Sequence, residues 1–499
     1  MAKLETEDLK EIQGIVMSGY GDLHCASYVL LQVTEPAAAR RWLGTIADQI
    51  TTSEPPAEKV SALNVALTCR GLEKLGLDAD TIGTFSRPFL EGMTTLHRSR
   101  ILGDADDNAP ENWVWGGNDP ECKPDDAKAV DILLMMFTEN EDMLKALLAE
   151  TSFQFKQNGV VELRTLTAGR NDDSHEHFGF ADGMGQPAIE GTFQEDKAAK
   201  RNRLKAGEFL LGYINAYDKP ADGPMVNAAR DPKPYLAPPR VVDEARVATG
   251  APTDLHDLGL NGTYLVFRQL AQNVALFRHF VDEATRGPDG QLDRSASDRL
   301  AAKFVGRWQN GAPLVLSPDA DDPAYKDADD FGYRDSDAHG FKCPIGSHVR
   351  RSNPRDTLGP DAINALKTAN RHRIMRRGRS YGHRPKDPQV ADTIDRGLLF
   401  ICLNSDIERQ FEFVQQTWIN NPVFGGLDGE VDPLIGNISR TESTPAGSGN
   451  GDAQHDAIFT IQADPLRARV HNLERFVTVK GGAYFFLPSV RALRYLASL

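Results

Sequence analysis

Short apolar runs with strand character are scattered along almost the whole 499-residue chain, and the stretches between them are irregular in length. The runs are Ser27–Val33, Ala62–Thr68, Phe209–Asn215, Thr263–Phe267, Leu398–Asn404 and Ala483–Leu487. Each is rich in Val, Leu, Phe or Tyr, which suit a partly buried pleated surface. Helical spacing marks Asp131–Leu148, Leu270–Ala284 and Asp406–Trp418; in the second, Leu270, Val274, Leu276, Phe277 and Phe280 make one apolar face. Strands far apart in sequence, with helices interposed irregularly, predict an α+β fold with antiparallel sheets rather than a strict βαβ alternation.

A chain of this length is too long for one small core. At 40% hydrophobic and 25% charged residues it has the composition to bury a large one. Its net charge of −15 argues against a nucleic-acid partner, whose phosphates it would repel. Five widely spread cysteines (Cys25, Cys69, Cys122, Cys343, Cys402) lack the spacing of a zinc or thioredoxin motif and read as reduced thiols. The opening residues lack the basic and apolar regions of a secretory signal, and no run approaches the ~18 apolar residues of a membrane helix. A cytoplasmic protein without a membrane partner is the expectation. Segments 102–127 and 217–259 are rich in Asp, Asn, Pro and Gly and are expected on the surface, and 441–454 as a flexible loop. Segment 317–337 is crowded with aspartate but lacks the spaced pattern of a calcium loop, so a solvated acidic loop is expected.

Three short pieces carry chemistry. Asp182 sits in FGFADGMGQP between Gly179 and Gly183, where glycines let the backbone turn tightly and approach a ligand. Its carboxylate has two readings, an Asx-turn that satisfies its own backbone or a functional acid. His348 sits in CPIGSHVRRSNPRD, followed by Arg350, Arg351, Asn353 and Arg355. A histidine in a charged surface turn is the plain alternative. Arg376, 28 residues later in HRIMRRGRSYG, is one of five arginines between 371 and 379. Ile374 and Met375 before it point Arg376 toward a buried site, with Arg377 and Arg379 facing solvent. Taken together, the trio offers a proton acceptor, an axial ligand for a porphyrin iron and a fixed positive charge. Arg350 and Arg355 would then pair with porphyrin carboxylates, with Asn353 a further polar contact. Trp418, Tyr381, Tyr484 and Phe485 read first as core aromatics, and Trp418 and Tyr381 second as surface electron relays. His175 and His177 flank the Asp182 turn without enough further ligands for a metal site.

These segments, in this order, resemble the dye-decolourising peroxidases. GFADG matches that family's GxxDG motif, SHVRRSNPR is similar to its proximal-histidine segment and IMRRGRSYG to its distal-arginine segment. VALTCRGLEKLGL, GRWQNGAPLV, GLLFICLNSDIERQFEFVQQTW and GGAYFFLPSVRAL extend the likeness from about residue 27 to the C-terminus, and the long loops resemble the larger branch. The resemblance implies two ferredoxin-like domains of the dimeric α+β barrel type, 1–205 carrying the GxxDG motif and 206–499 binding haem. It implies one haem b per chain, His348 as the axial iron ligand, and Asp182 and Arg376 as the distal pair. It also implies a carboxylate on the other ring nitrogen of His348, for which Asp428 is the choice and Glu408 and Glu430 are rivals.

The implied activity is reduction of hydrogen peroxide through a ferryl intermediate, with small or bulky aromatic reductants as one-electron donors and a homodimer left open. An aspartate base, with a free pKa of about 3.9, further implies an acidic optimum. The rivals are an iron-releasing, deferrochelatase-like haem protein, a haem storage or sensor protein, and a metal-binding scaffold built on the aspartate-rich loop.

Overall fold

The computed structural model describes residues 4–55, 59–121, 123, 125–170, 173–241, 254–438 and 457–499. Cys122 and the 441–454 loop lie outside the described residues, as does part of 217–259.

The N-terminal half runs β1 (Cys25–Val33), α1 (Pro36–Ala47), β2 (Ser61–Leu67), β3 (Ile132–Thr138), α2 (Glu141–Lys156) and β4 (Val160–Gly169). Its strands lie in the order β4-β1-β3-β2, every neighbour antiparallel. The C-terminal half repeats the plan. β5 (Thr263–Gln272) leads into α3 (Val274–Ala284). A broken strand, β6 (Met375–Arg376) and β7 (Arg379–Tyr381), precedes β8 (Gly397–Asn404). Two π-helical turns at Glu408–Glu412 and Val414–Ile419 then lead toward β9 (Val477–Leu487). The order is β9-β5-β8 followed by β6 and β7, again antiparallel. Each half is therefore a βαββαβ unit with the strand order of a ferredoxin-like sheet. Phe486 pairs with Leu67 and Ser380 with Gly169, joining the sheets edge to edge into a closed barrel.

The period-two geometry of β1 sends its side chains into two cores. Val29, Leu31 and Val33 pack with Trp42 and Leu43 of α1. Tyr28 and Leu30 face the other way and share a cluster with Phe267, Leu399 and Phe485 of the second sheet. Local signals set the helix starts. Pro36 opens α1, Asn140 caps α2 by accepting from Met143 N–H, and Asn273 caps α3 by accepting from Leu276 N–H.

Two sequence expectations are corrected, and one strand was missed. The Asp131–Leu148 stretch divides into β3 and the start of α2, because an unbroken run of buried residues has no readable period. Phe209–Asn215 is a buried turn rather than a strand. β4 was not anticipated, since its polar, largely exposed pattern resembles a loop. Among the described residues no helix is long and apolar enough to cross a membrane.

Candidate active site

Asp182, His348 and Arg376 line one cavity of about 580 Å³. That size suits a buried organic ligand.

His348 is the first residue of a short helix, His348–Ser352 (α5), which approaches the end of the Arg294–Val305 helix (α4). Gly306 makes this approach possible: its φ is +98°, and a Cβ there would sit 2.3 Å from Val349 Cγ2. His348 Nδ1 lies 2.9 Å from Asp432 Oδ2. Asp432 is completely buried, and its Oδ1 accepts the N–H groups of Leu434 at 2.9 Å and Ile435 at 3.0 Å. Burial drives this carboxyl upward, but its interaction with His348 and these hydrogen bonds outweigh it and hold it below the usual carboxylate range. A carboxylate acceptor makes Nδ1 the protonated nitrogen, which leaves the Nε2 lone pair available for a metal.

Asp182 ends a tight two-stranded turn. Its N–H donates to Ser174 C=O at 3.0 Å, and Glu176 N–H donates to Phe180 C=O at 2.9 Å. Gly179, at φ +94°, turns the chain where a Cβ would come within 2.7 Å of Arg278 Nη2. The turn is held by Glu176, a residue the sequence reading passed over. Its carboxylate accepts Phe178 N–H at 2.8 Å, Phe180 N–H at 2.9 Å and Gln272 Nε2–H at 2.6 Å. Burial raises the Glu176 carboxyl, with these donors opposing. Phe178 and Phe180 anchor the turn in a cluster with Phe277 and Phe304.

Arg376 is tied to the same loop. Its backbone N–H donates to Gln186 Oε1 at 3.0 Å, and its Nη2 donates to Met184 C=O at 2.5 Å, two residues beyond Asp182. Arg373 Nη2 donates to Gly185 C=O at 2.7 Å. Asp182 and Arg376 thus belong to one hydrogen-bonded unit. Beside it, Asp329 receives Arg307 at 3.2 Å, Arg355 and Asn202 Nδ2–H at 2.6 Å. Burial opposes ionisation of Asp329, yet the Arg355 and Arg373 charges bring its carboxyl below the ordinary range. Three arginines around one carboxylate leave this wall positive, a setting for anionic groups on a ligand.

The wall also holds Asn353, whose buried Oδ1 has no hydrogen-bond partner among the described residues. Apolar Leu270, Phe400, Phe411 and Ile435 complete a surface that suits a flat, largely apolar ring system.

Other expectations are corrected. Asp428 is exposed in a loop; the buried carboxylate on His348 is Asp432, four residues on. Glu408 is exposed, and Glu430 is occupied by Thr460. Arg350 turns away from the cavity, meeting Asp337 at 3.1 Å and stacking 4.4 Å over Tyr333, whereas Arg355 and Asn353 line it. Arg377 and Arg379 do not face solvent. Arg377 donates to Ile15 and Val16 C=O at 2.8 and 2.7 Å, and Arg379 donates to Tyr20 C=O at 2.7 Å. Trp418 and Tyr381 are buried, so neither is a surface residue. The acidic stretch is not simply solvated, because it supplies the inward-facing Asp329 and Asp337.

No family model matches the chain. Among curated proteins it is 28% identical to a dye-decolorizing peroxidase of Mycetinis scorodonius, over 99% of this chain and 88% of that protein. It is 34% identical to a multifunctional dye peroxidase of an Amycolatopsis species, over 66% of this chain and 62% of that one. Among solved structures, an ancestral D-type dye decolorizing peroxidase aligns at TM-score 0.72 and 26% identity, covering 99% of both chains. A fungal DyP-type peroxidase from Auricularia auricula-judae aligns at TM-score 0.75 and 23% identity over the full length of both. This likeness runs end to end and, with the barrel and the shared cavity in place, the chain is similar over its whole length to dye-decolourising peroxidases.

Proposed function

We propose that the protein is a haem peroxidase that reduces hydrogen peroxide and oxidises dyes, phenols and other one-electron donors, with one haem b in the cavity that Asp182, His348 and Arg376 share. The single observation that carries this reading is the convergence of those three side chains on one cavity, with His348 Nδ1 occupied by Asp432. His348 would hold the iron through Nε2, and Arg355 and Asn353 would meet the propionates. When bound, haem supplies an iron that takes up peroxide and the oxidising equivalents later returned to donors.

The protein's own groups do the rest. Asp182 accepts a proton from one peroxide oxygen and delivers it to the other, which leaves as water. Arg376, fixed by Met184 and Gln186, presents permanent charge where negative charge develops as the O–O bond breaks. Asp432 holds the imidazole tautomer and makes it a stronger donor. The division at residues 205 and 206 belongs to the same proposal: β4 ends at Gly169, β5 begins at Thr263, and the Asp182 loop lies between the two repeats.

An absorption spectrum of the purified, haem-reconstituted protein tests the reading. A Soret band that shifts on stoichiometric peroxide and returns with a phenol supports it. A band retained unchanged in His348→Ala overturns the ligand assignment. Release of metal-free porphyrin, with haem intact in the control, would instead support an iron-releasing activity.

A further inference from the structure

A second cavity, of about 290 Å³, adjoins the first, and Gln272 stands in the wall of both. Its rim carries two exposed apolar side chains, Val390 at 60% and Ile394 at 46% exposure. Its polar wall includes Lys480. The pairing of β9 with β5 slips there: Val479 pairs with Leu270 and Gly481 with Gln269, so Lys480 is the extra residue of a bulge. Bulges re-aim side chains, often beside functional sites. Arg396, also in this wall, is matched by Asp392 at 2.6 Å. Lys480 has no carboxylate partner among the described residues. Asp395, exposed in the same wall, accepts the Tyr381 O–H at 3.1 Å on Oδ1.

We propose that this cavity binds a small phenol bearing a carboxylate and presents it as an electron donor to the neighbouring cavity, an inference that rests on the peroxidase reading. Lys480 pairs with the carboxylate, Val390 and Ile394 flank the ring, and Asp395 receives the phenolic proton. The O–H bond of the donor breaks, its proton passes to Asp395, and its electron crosses the shared Gln272 wall to the peroxide-oxidised centre, leaving a phenoxyl radical. Two donors and one hydrogen peroxide give two waters and two phenoxyl radicals, so atoms and electrons balance. Bulky dyes are too large for this volume and must deliver electrons elsewhere.

The test uses the full-length, haem-loaded protein with 4-hydroxycinnamate as probe and its methyl ester as the uncharged control. Binding to the resting protein is measured by titration calorimetry without peroxide, and donor KM by initial rates. Lys480→Met should raise both Kd and KM for the acid about tenfold, the low end for a lost charge-assisted hydrogen bond, and leave the ester unchanged. Lys480→Arg should restore most of the difference. Ile394→Asp, on the exposed rim, should weaken the ester, and the acid further by like-charge repulsion, and the peroxide KM should stay constant throughout. Unchanged acid affinity in both Lys480→Met and Ile394→Asp would overturn the site, as would an ester that binds wild type as tightly as the acid. Binding that follows these variants without any peroxide-dependent oxidation would overturn the donor role and the peroxidase reading, and leave the cavity assignment standing.

Discussion

Asp432→Asn gives the sharpest test of the proximal arrangement, because the structure dictates how the new amide must sit. Asp432 Oδ1 accepts two backbone N–H groups, from Leu434 and Ile435, at 2.9 and 3.0 Å. An asparagine must keep its carbonyl oxygen there, since its NH₂ group would otherwise face two donors. The NH₂ is then forced opposite His348 Nδ1, where the carboxylate oxygen stood at 2.9 Å. A donor facing Nδ1 selects the tautomer protonated on Nε2, the nitrogen needed for iron. Removing a charge-assisted hydrogen bond costs about 1.5–3 kcal/mol, and such partners typically contribute 10–100-fold to metal affinity. Haem loss to excess apomyoglobin, followed at the Soret band, should therefore accelerate about 10- to 100-fold. Nitrogen-15 shifts of His348 in the haem-free protein should move to the Nε2–H tautomer. Asp428→Asn, in the exposed loop, is the control and should change neither. The reasoning fails if Asp432→Asn keeps both the wild-type tautomer and the wild-type retention.

Arg376→Leu should cut peroxide-dependent turnover by about 10²–10³-fold with haem still bound; a loss below tenfold would remove Arg376 from the proposed chemistry. Arg377→Leu should act on stability, since it strands the Ile15 and Val16 carbonyls, and a melting temperature equal to wild type would contradict its buried role. Glu176→Ala removes the acceptor of three donors under the Asp182 turn. It should slow the peroxide step at saturating donor while sparing donor KM, and equal effects on both would refute a positioning role. Burial raises Asp257 from the ordinary carboxylate range to about 7. The folded state thus keeps a proton that the unfolded chain releases from about pH 4, and stability falls as pH rises from about 4 to 7. Asp257→Asn should gain up to about 4 kcal/mol over wild type at pH 8 and nothing at pH 4, measured by urea denaturation; an equal gap at both pH values would refute this.

Much of the barrel was legible because β1, β2, β5, β8 and β9 are short, β-rich runs bounded by turn residues. β3 was misread because all seven of its residues are buried, so neither alternation nor a helical stripe survives. Phe209–Leu211 misled for a related reason: complete burial makes a core turn look like a strand. At the site, the motifs picked out Asp182, His348 and Arg376, which the fold brings to one cavity. Spacing alone could not separate Asp428 from Asp432, because the choice depends on which loop residue turns inward. Nor could composition separate buried from exposed arginines. Arg350, Arg377 and Arg379 all bury their guanidinium groups by meeting backbone carbonyls that lie far away in sequence or a turn away. Glu176 had one available signal, a carboxylate two residues before the first phenylalanine of the turn.

The two half-sheets touch through a single paired residue on each flank, Phe486 with Leu67 and Ser380 with Gly169. With so few ladder hydrogen bonds at each joint, the joints are expected to open more readily than the ladders within each half. Amides along these joints are accordingly the place where deuterium should enter ahead of the strand centres. Ser380 and Gly169 also line the cavity of Asp182, so early exchange at that joint would report on the wall of the site itself.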